Sequence, residues 1–201
     1  MKKIETIWHH LLFEALTNKK FKFTQKELAQ KFGYSLSTIH YSLKKPEALG
    51  AIRKSGKFFV LEDVIKLLYF WGSFRNLNRD ILYQAFVNLP VLRIESLVPA
   101  KAIYACYSAA RKILMEPPAD YAKVYFYLPQ ENLEDLKQRY NSLQKKNQGP
   151  NLFVLKMPAT LPQYGNVATL PQTFVDIWSL KDWYAKDFTK ALEEKINGIL
   201  S

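Results

Sequence analysis

The punctuation between Thr24 and Pro46 constrains this chain more than any other stretch of it. Thr24 stands three residues before Glu27. At that spacing a hydroxyl and a carboxylate can each satisfy a free N–H at a helix start, which predicts a helix from Gln25 to about Phe32. Leu28, Ala29 and Phe32 form its inner face. Gly33 follows, the residue that most cheaply adopts the positive φ of a helix C-terminal turn. Ser35 is a natural cap for another short helix, from Leu36 to Lys44 or Lys45, with sparse apolar positions at Leu36, Ile39 and Leu43. Pro46 lacks an N–H and disfavours helical geometry in the residue before it, so it is expected to end or kink that helix.

The flanking segments complete a unit. Ile4, Ile7, Trp8, Leu11, Leu12, Ala15 and Leu16 recur at helical spacing and predict a first helix that stops near Thr17-Asn18-Lys19-Lys20. Phe21-Lys22-Phe23 reads as a short strand. Residues 51–54 and 57–61 are extended runs around Ser55-Gly56, which predicts a hairpin. Asp63 to Phe74 is amphipathic again, and the apolar pattern breaks at residues 75–80. A domain boundary is therefore expected there, with residues 1–76 and 77–201 as the two domains.

The second part alternates helical and extended patterns, which predicts an α+β or three-layer α/β domain. Lys101 to Met115 reads as a buried helix, residues 122–128 as the best strand of the chain, and Glu131 to Gln144 as a polar helix leading into a loop at 145–150. Asn151 to Met157 reads as another strand, and Leu170 to Asn197 as mostly helical with Pro171 near its start. The sequence contains no internal repeat and no low-complexity tract.

Composition narrows the function classes. Residues 1–80 carry 15 Lys and Arg against 7 Asp and Glu, whereas residues 81–201 carry 14 against 11. Most of the net charge of +11 thus falls in the first segment, and a basic excess so confined points to a polyanion partner. No window supplies the roughly 18 apolar residues of a membrane span. The first helix is broken by Glu5, His9, His10 and Glu14, unlike a secretory signal. Cys106 is the only cysteine, so no internal disulfide can form, and a reducing cytoplasm is expected.

Helix, turn, helix and hairpin in this order predict a winged helix-turn-helix that binds double-stranded DNA. With Ile39 and Leu43 turned inward, the outer face of the Leu36 helix carries Ser37, Thr38, His40, Tyr41, Lys44 and Lys45, and no acid intervenes between Thr38 and Lys45. Hydroxyls, imidazole and phenol can meet base edges, and lysines meet phosphates. The hairpin adds Arg53, Lys54 and Lys57. Catalytic patterns are weaker. His9 and His10 are adjacent on a helix, point about 100° apart and are poorly placed to share a metal ion. The sequence has no glycine-rich phosphate loop and no Gly-x-Ser-x-Gly elbow. Asp176 is a lone acid among large apolar residues, expected to cap a helix or sit in a salt bridge.

The second half also carries a family resemblance. Residues 104–110, Pro117-Pro118-Ala119-Asp120-Tyr121, the strand at 124–127 and residues 170–178 resemble the C-terminal domain of the abortive-infection type IV antitoxins (AbiEi-like). Ser37-Thr38-Ile39, Leu49-Gly50-Ala51-Ile52 and residues 66–71 are similar to the winged helix of the same group. The resemblance implies a regulator that binds its own promoter and counteracts a toxin of nucleotidyltransferase type. It also implies a second domain with a reduced nucleotidyltransferase fold. An active member has a Gly-Ser near the first helix and an Asp-x-Asp on the next strand to hold Mg²⁺ and phosphates. Here those stretches read Tyr107-Ser108 and Lys123-Val124-Tyr125-Phe126-Tyr127, which implies that the chemistry is lost.

The expected function is therefore a transcriptional regulator, antitoxin-like and autoregulating, and not an enzyme. Its expected partners are double-stranded DNA, a cognate toxin and a second copy in a homodimer, with no cofactor, no metal and no membrane. The alternatives are a protein-binding module that neutralises a partner without DNA readout, and an active nucleotidyltransferase.

Overall fold

The computed structural model describes residues 1–141, 143 and 148–201. The chain is mixed α+β with two small sheets, and it divides into two units, residues 1–75 with 195–201 and residues 76–194. Residues 195–201, expected in the second domain, group instead with the first. Lys19, at the C-terminus of the first helix, donates its ammonium to the Ile199 carbonyl, a pairing too distant in sequence for any local pattern to reveal.

In the first unit, α1 (Lys3–Asn18) precedes β1 (Lys22–Phe23), α2 (Gln25–Phe32) and α3 (Leu36–Ala48). They are followed by β2 (Ile52–Ser55), β3 (Phe58–Leu61) and α4 (Val64–Phe74). The strands form an antiparallel sheet in the order β1-β3-β2, with Lys22 opposite Val60 and Ile52 opposite Leu61. Local chemistry sets the boundaries. Thr24 accepts from the Glu27 N–H at 3.1 Å, Ser35 from the Thr38 N–H at 3.2 Å and Asp63 from the Lys66 N–H at 2.7 Å. Gly33 closes α2 at φ 62°, where a side chain would be strained. Ile7, Leu11, Leu28, Ile39, Leu43, Phe59, Leu67 and Trp71 fill the interior.

Pro46 corrects one expectation. It does not end α3, which continues to Ala48. The carbonyl that a proline at this position deprives of its donor belongs to Ser42, and the Trp8 indole N–H donates to it at 2.7 Å.

The second unit contains β4 (Ile81–Ala85), α5 (Val91–Ser96), β5 (Ile103–Ala105), α6 (Cys106–Leu114) and β6 (Val124–Leu128). Next come α7 (Leu133–Asn141), β7 (Leu152–Lys156) and α8 (Leu170–Trp178), then α9 (Ala185–Leu200), whose last residues belong to the first unit. The sheet order is β4-β7-β6-β5, parallel between β6 and β7 and antiparallel at its two outer pairs. Every residue of β6 is buried. Val124, Phe126 and Leu128 pack with Ile94, Leu136, Tyr140, Leu152 and Val154. On the opposite face Tyr125 stacks on Phe153 with ring centroids 4.5 Å apart.

Several expected boundaries change in this unit. The helix predicted over 101–115 is a three-residue strand followed by a helix, and the chain turns sharply between them at Cys106, φ 47°. The strand exists because Tyr104 bonds outward to Asn166 and Ala168 while β6 pairs with its other edge. The long helix predicted over 170–197 is α8 and α9, separated by a turn in which the Asp182 side chain serves Tyr107 and Lys123. α8 is capped by Thr169, with Pro171 in its first turn. The polar helix covers 133–141 after a 3₁₀ turn at Gln130–Asn132, and Gln144 lies outside the described residues together with Lys145, Lys146 and Asn147 of the predicted loop. β4 and α5 have no counterpart among the expected elements, because neither segment alternates or repeats cleanly. Among the described residues no helix is long and apolar enough to cross a membrane.

Candidate functional site

α3 buries Ile39, Ser42, Leu43 and Pro46 and turns its other side to solvent. Ser37, His40, Tyr41 and Lys44 follow at helical i, i+3, i+4 and i+7 spacing and so form one stripe. All four are exposed, and Tyr41 retains 64% of its surface. Thr38 is only half-exposed. The Ser35 hydroxyl lies 2.9 Å from both Ser37 Oγ and Thr38 Oγ1, so the first turn presents a linked set of hydroxyls. Lys45 is exposed on the flank, and among the described residues neither it nor Lys44 has an ion-pair partner.

The hairpin residues divide. Lys57, beside the turn at Gly56, is exposed and has no acidic partner among the described residues. Arg53 donates to Glu62, and Lys54 donates to Glu47 of α3. Of the three cations assigned to the hairpin, two therefore already face a carboxylate. Glu47 and Glu62 belong to this surface without having been expected there. The acids depend on hairpin register, since Arg53 lies opposite Val60, two residues before Glu62.

The histidines of α1 are not at this surface. His9 is fully buried 5.8 Å from the Trp71 ring, and His10 lies against Phe32 at 5.2 Å. Burial, with the charge of His10 beside it, drives His9 down to about 3. Burial, with Lys31 nearby, lowers His10 to about 4 although Glu14 is 3.7 Å away. Both are therefore neutral at physiological pH.

Glu95 and Asp176 of the second unit are turned inward. Asp176 is fully buried and accepts hydrogen bonds from Tyr127 and from Gln172 Nε2, the latter at 2.9 Å. Glu95, also buried, accepts from Arg111 and Tyr121, each at 2.6 Å. Burial, with the Glu95 bond, raises the Tyr121 phenol well above its ordinary value. A cavity of about 300 Å³ opens beside Trp178, Lys181, Asp182 and Lys186. Among the described residues no three His, Cys, Asp or Glu side chains group as a metal site.

Comparison with protein-family models, curated proteins and solved structures returns no match.

Proposed function

We propose that the chain is a DNA-binding transcriptional regulator, antitoxin-like and autoregulating, whose first unit is a winged helix-turn-helix. The observation that carries this is the exposed stripe of α3, where hydrogen-bonding groups at Ser37, His40 and Tyr41 give way to the uncompensated Lys44 and Lys45. In this function α3 enters the major groove, its stripe meets base edges and its lysines meet phosphates. Lys57 at the hairpin turn adds a phosphate contact. The second unit is proposed as a reduced nucleotidyltransferase fold without catalysis, since the β6 strand Val124–Leu128 carries no acid.

A binding titration on duplex DNA from immediately upstream of the chain's own reading frame, at two salt concentrations, tests this. Tight, salt-sensitive and sequence-dependent binding is expected. In the double variant Lys44→Ala/Lys45→Ala the salt slope should flatten by about 1.8, with affinity about 30-fold lower at roughly 0.15 M salt. Tyr41→Ala should weaken the cognate duplex more than a scrambled one. Unchanged binding in Tyr41→Ala and Lys44→Ala would exclude this face.

The paired hairpin cations allow a test with the opposite sign. Exposed ion pairs are weak and phosphates compete with them. Glu62→Gln, by releasing Arg53, should therefore strengthen binding several-fold and steepen the salt slope by about one. Weaker binding would mean that Glu62 orients Arg53 toward DNA and does not compete with it.

A second function, capture of a toxin or other protein partner, draws on Trp183, which is 79% exposed, and on the exposed Trp178 near it in sequence. Aromatic anchors of this kind dominate protein interfaces. Co-purification of a partner with no DNA affinity would favour it.

A further inference from the structure

Proline destabilises the interior of an α-helix, because the ring removes one N–H and crowds the carbonyl four residues back. α3 contains such a proline and still runs through it. The carbonyl at issue, Ser42 O, accepts the Trp8 indole N–H at 2.7 Å, and both residues are buried. The Ser42 hydroxyl donates back to Ile39 O at 2.7 Å. Beyond the proline the backbone bonds resume. Leu49 N–H donates to Lys45 O at 3.1 Å, Gly50 to Glu47 O at 2.9 Å and Ala51 to Pro46 O at 2.9 Å.

The indole is not free to drift. Phe70 and Phe74 of α4 meet its ring edge-on, with centroids 4.9 and 5.1 Å away. One side chain of α1, clamped by α4, thus supplies to α3 the donor that its own backbone lacks. The part of α3 beyond Ser42 includes Lys44 and Lys45, and then Glu47, which receives Lys54 from the hairpin.

We infer that Trp8 is a positioning residue for the α3 face. Its indole N–H replaces the amide missing at Pro46, keeping the last turn of α3, with Lys44, Lys45 and the Glu47 link to the hairpin, in fixed register with the Ser37–Tyr41 stripe. This rests on the proposal that the face binds duplex DNA. Trp8 itself touches no nucleic acid. Its effect reaches the phosphate contacts through one carbonyl.

Trp8→Phe keeps an aromatic ring between Phe70 and Phe74 but removes the donor. It should bind the upstream duplex about five- to tenfold more weakly than the parent chain and accelerate amide exchange at Leu49, Gly50 and Ala51. Adding Pro46→Ala returns an N–H to position 46 that can donate to Ser42 O, so Trp8→Phe/Pro46→Ala should recover both affinity and protection. A purely space-filling role for Trp8 predicts no such rescue. Affinity and exchange in Trp8→Phe equal to those of the parent, or a loss that Pro46→Ala leaves untouched, would overturn the inference. Failure of the parent chain to bind any duplex would instead remove the DNA-binding proposal. The exchange measurements would then still decide whether Trp8 bridges the proline.

Discussion

Lowering the pH from about 6.5 to about 4.5 is expected to destabilise the first unit steeply. His9 and His10 are held at about 3 and about 4 in the folded chain, mainly by burial, and return to about 6.5 when it unfolds. The unfolded chain therefore binds more protons throughout this window, so stability is full above about pH 6.5 and falls as the pH drops toward the folded values. With both imidazoles contributing, the slope approaches about 2.7 kcal/mol per pH unit at most. Around His9 stand Trp71 and His10. Around His10 stand Phe23, Phe32, the acids Glu14 and Glu27, and the cations Lys31 and Lys20. The two acids favour protonation, but burial and the lysines outweigh them. Denaturant unfolding at successive pH values, followed through the indole N–H resonances of Trp8 and Trp71, measures the slope. His9→Gln/His10→Gln should flatten it. A parent chain equally stable at about pH 6.5 and about pH 5 would refute this account.

Arg75→Met should cost the same unit about 3–5 kcal/mol, the usual penalty for stripping a buried charge of its partner. Glu5 is 3% exposed. Its carboxylate accepts from the Lys2 N–H at 2.9 Å and from Trp71 Nε1 at 3.2 Å, with Arg75 Nη1 3.6 Å away. Without the guanidinium, those two neutral donors must offset a desolvated negative charge. Glu5→Leu/Arg75→Met removes both ions and should recover most of the loss, because a well-packed apolar pair often matches a buried salt bridge. A single variant as stable as the parent would show that the carboxylate does not depend on Arg75.

The two halves differ in how much their residues disclose, for a physical reason. In the first unit the signals are short-range. Thr24 reaches Glu27, Ser35 reaches Thr38, and Gly33 turns the chain where it stands. Periodicity then fixes which side of α3 is wet, so the exposure of Ser37, His40, Tyr41 and Lys44 could be read directly. Pro46 defeated local logic because its remedy comes from Trp8 in another helix. In the second unit the deciding contacts are long-range. β5 is a strand only because β6 lies on one side and Asn166–Ala168 on the other, and its residues alone continue the helical pattern of Cys106–Leu114. The break between α8 and α9 depends on Asp182 meeting Tyr107 and Lys123. In the site itself, side-chain chemistry was legible but charge compensation was not. Glu62 neutralises Arg53 only in the observed pairing of β2 with β3.

The membership of residues 195–201 in the first unit has a bearing on synthesis. A ribosome releases the three-stranded sheet and its helices early, yet the lysine that ends α1 waits for a carbonyl translated 180 residues later. Emerging polypeptide must leave that position open until Ile199 has left the exit tunnel.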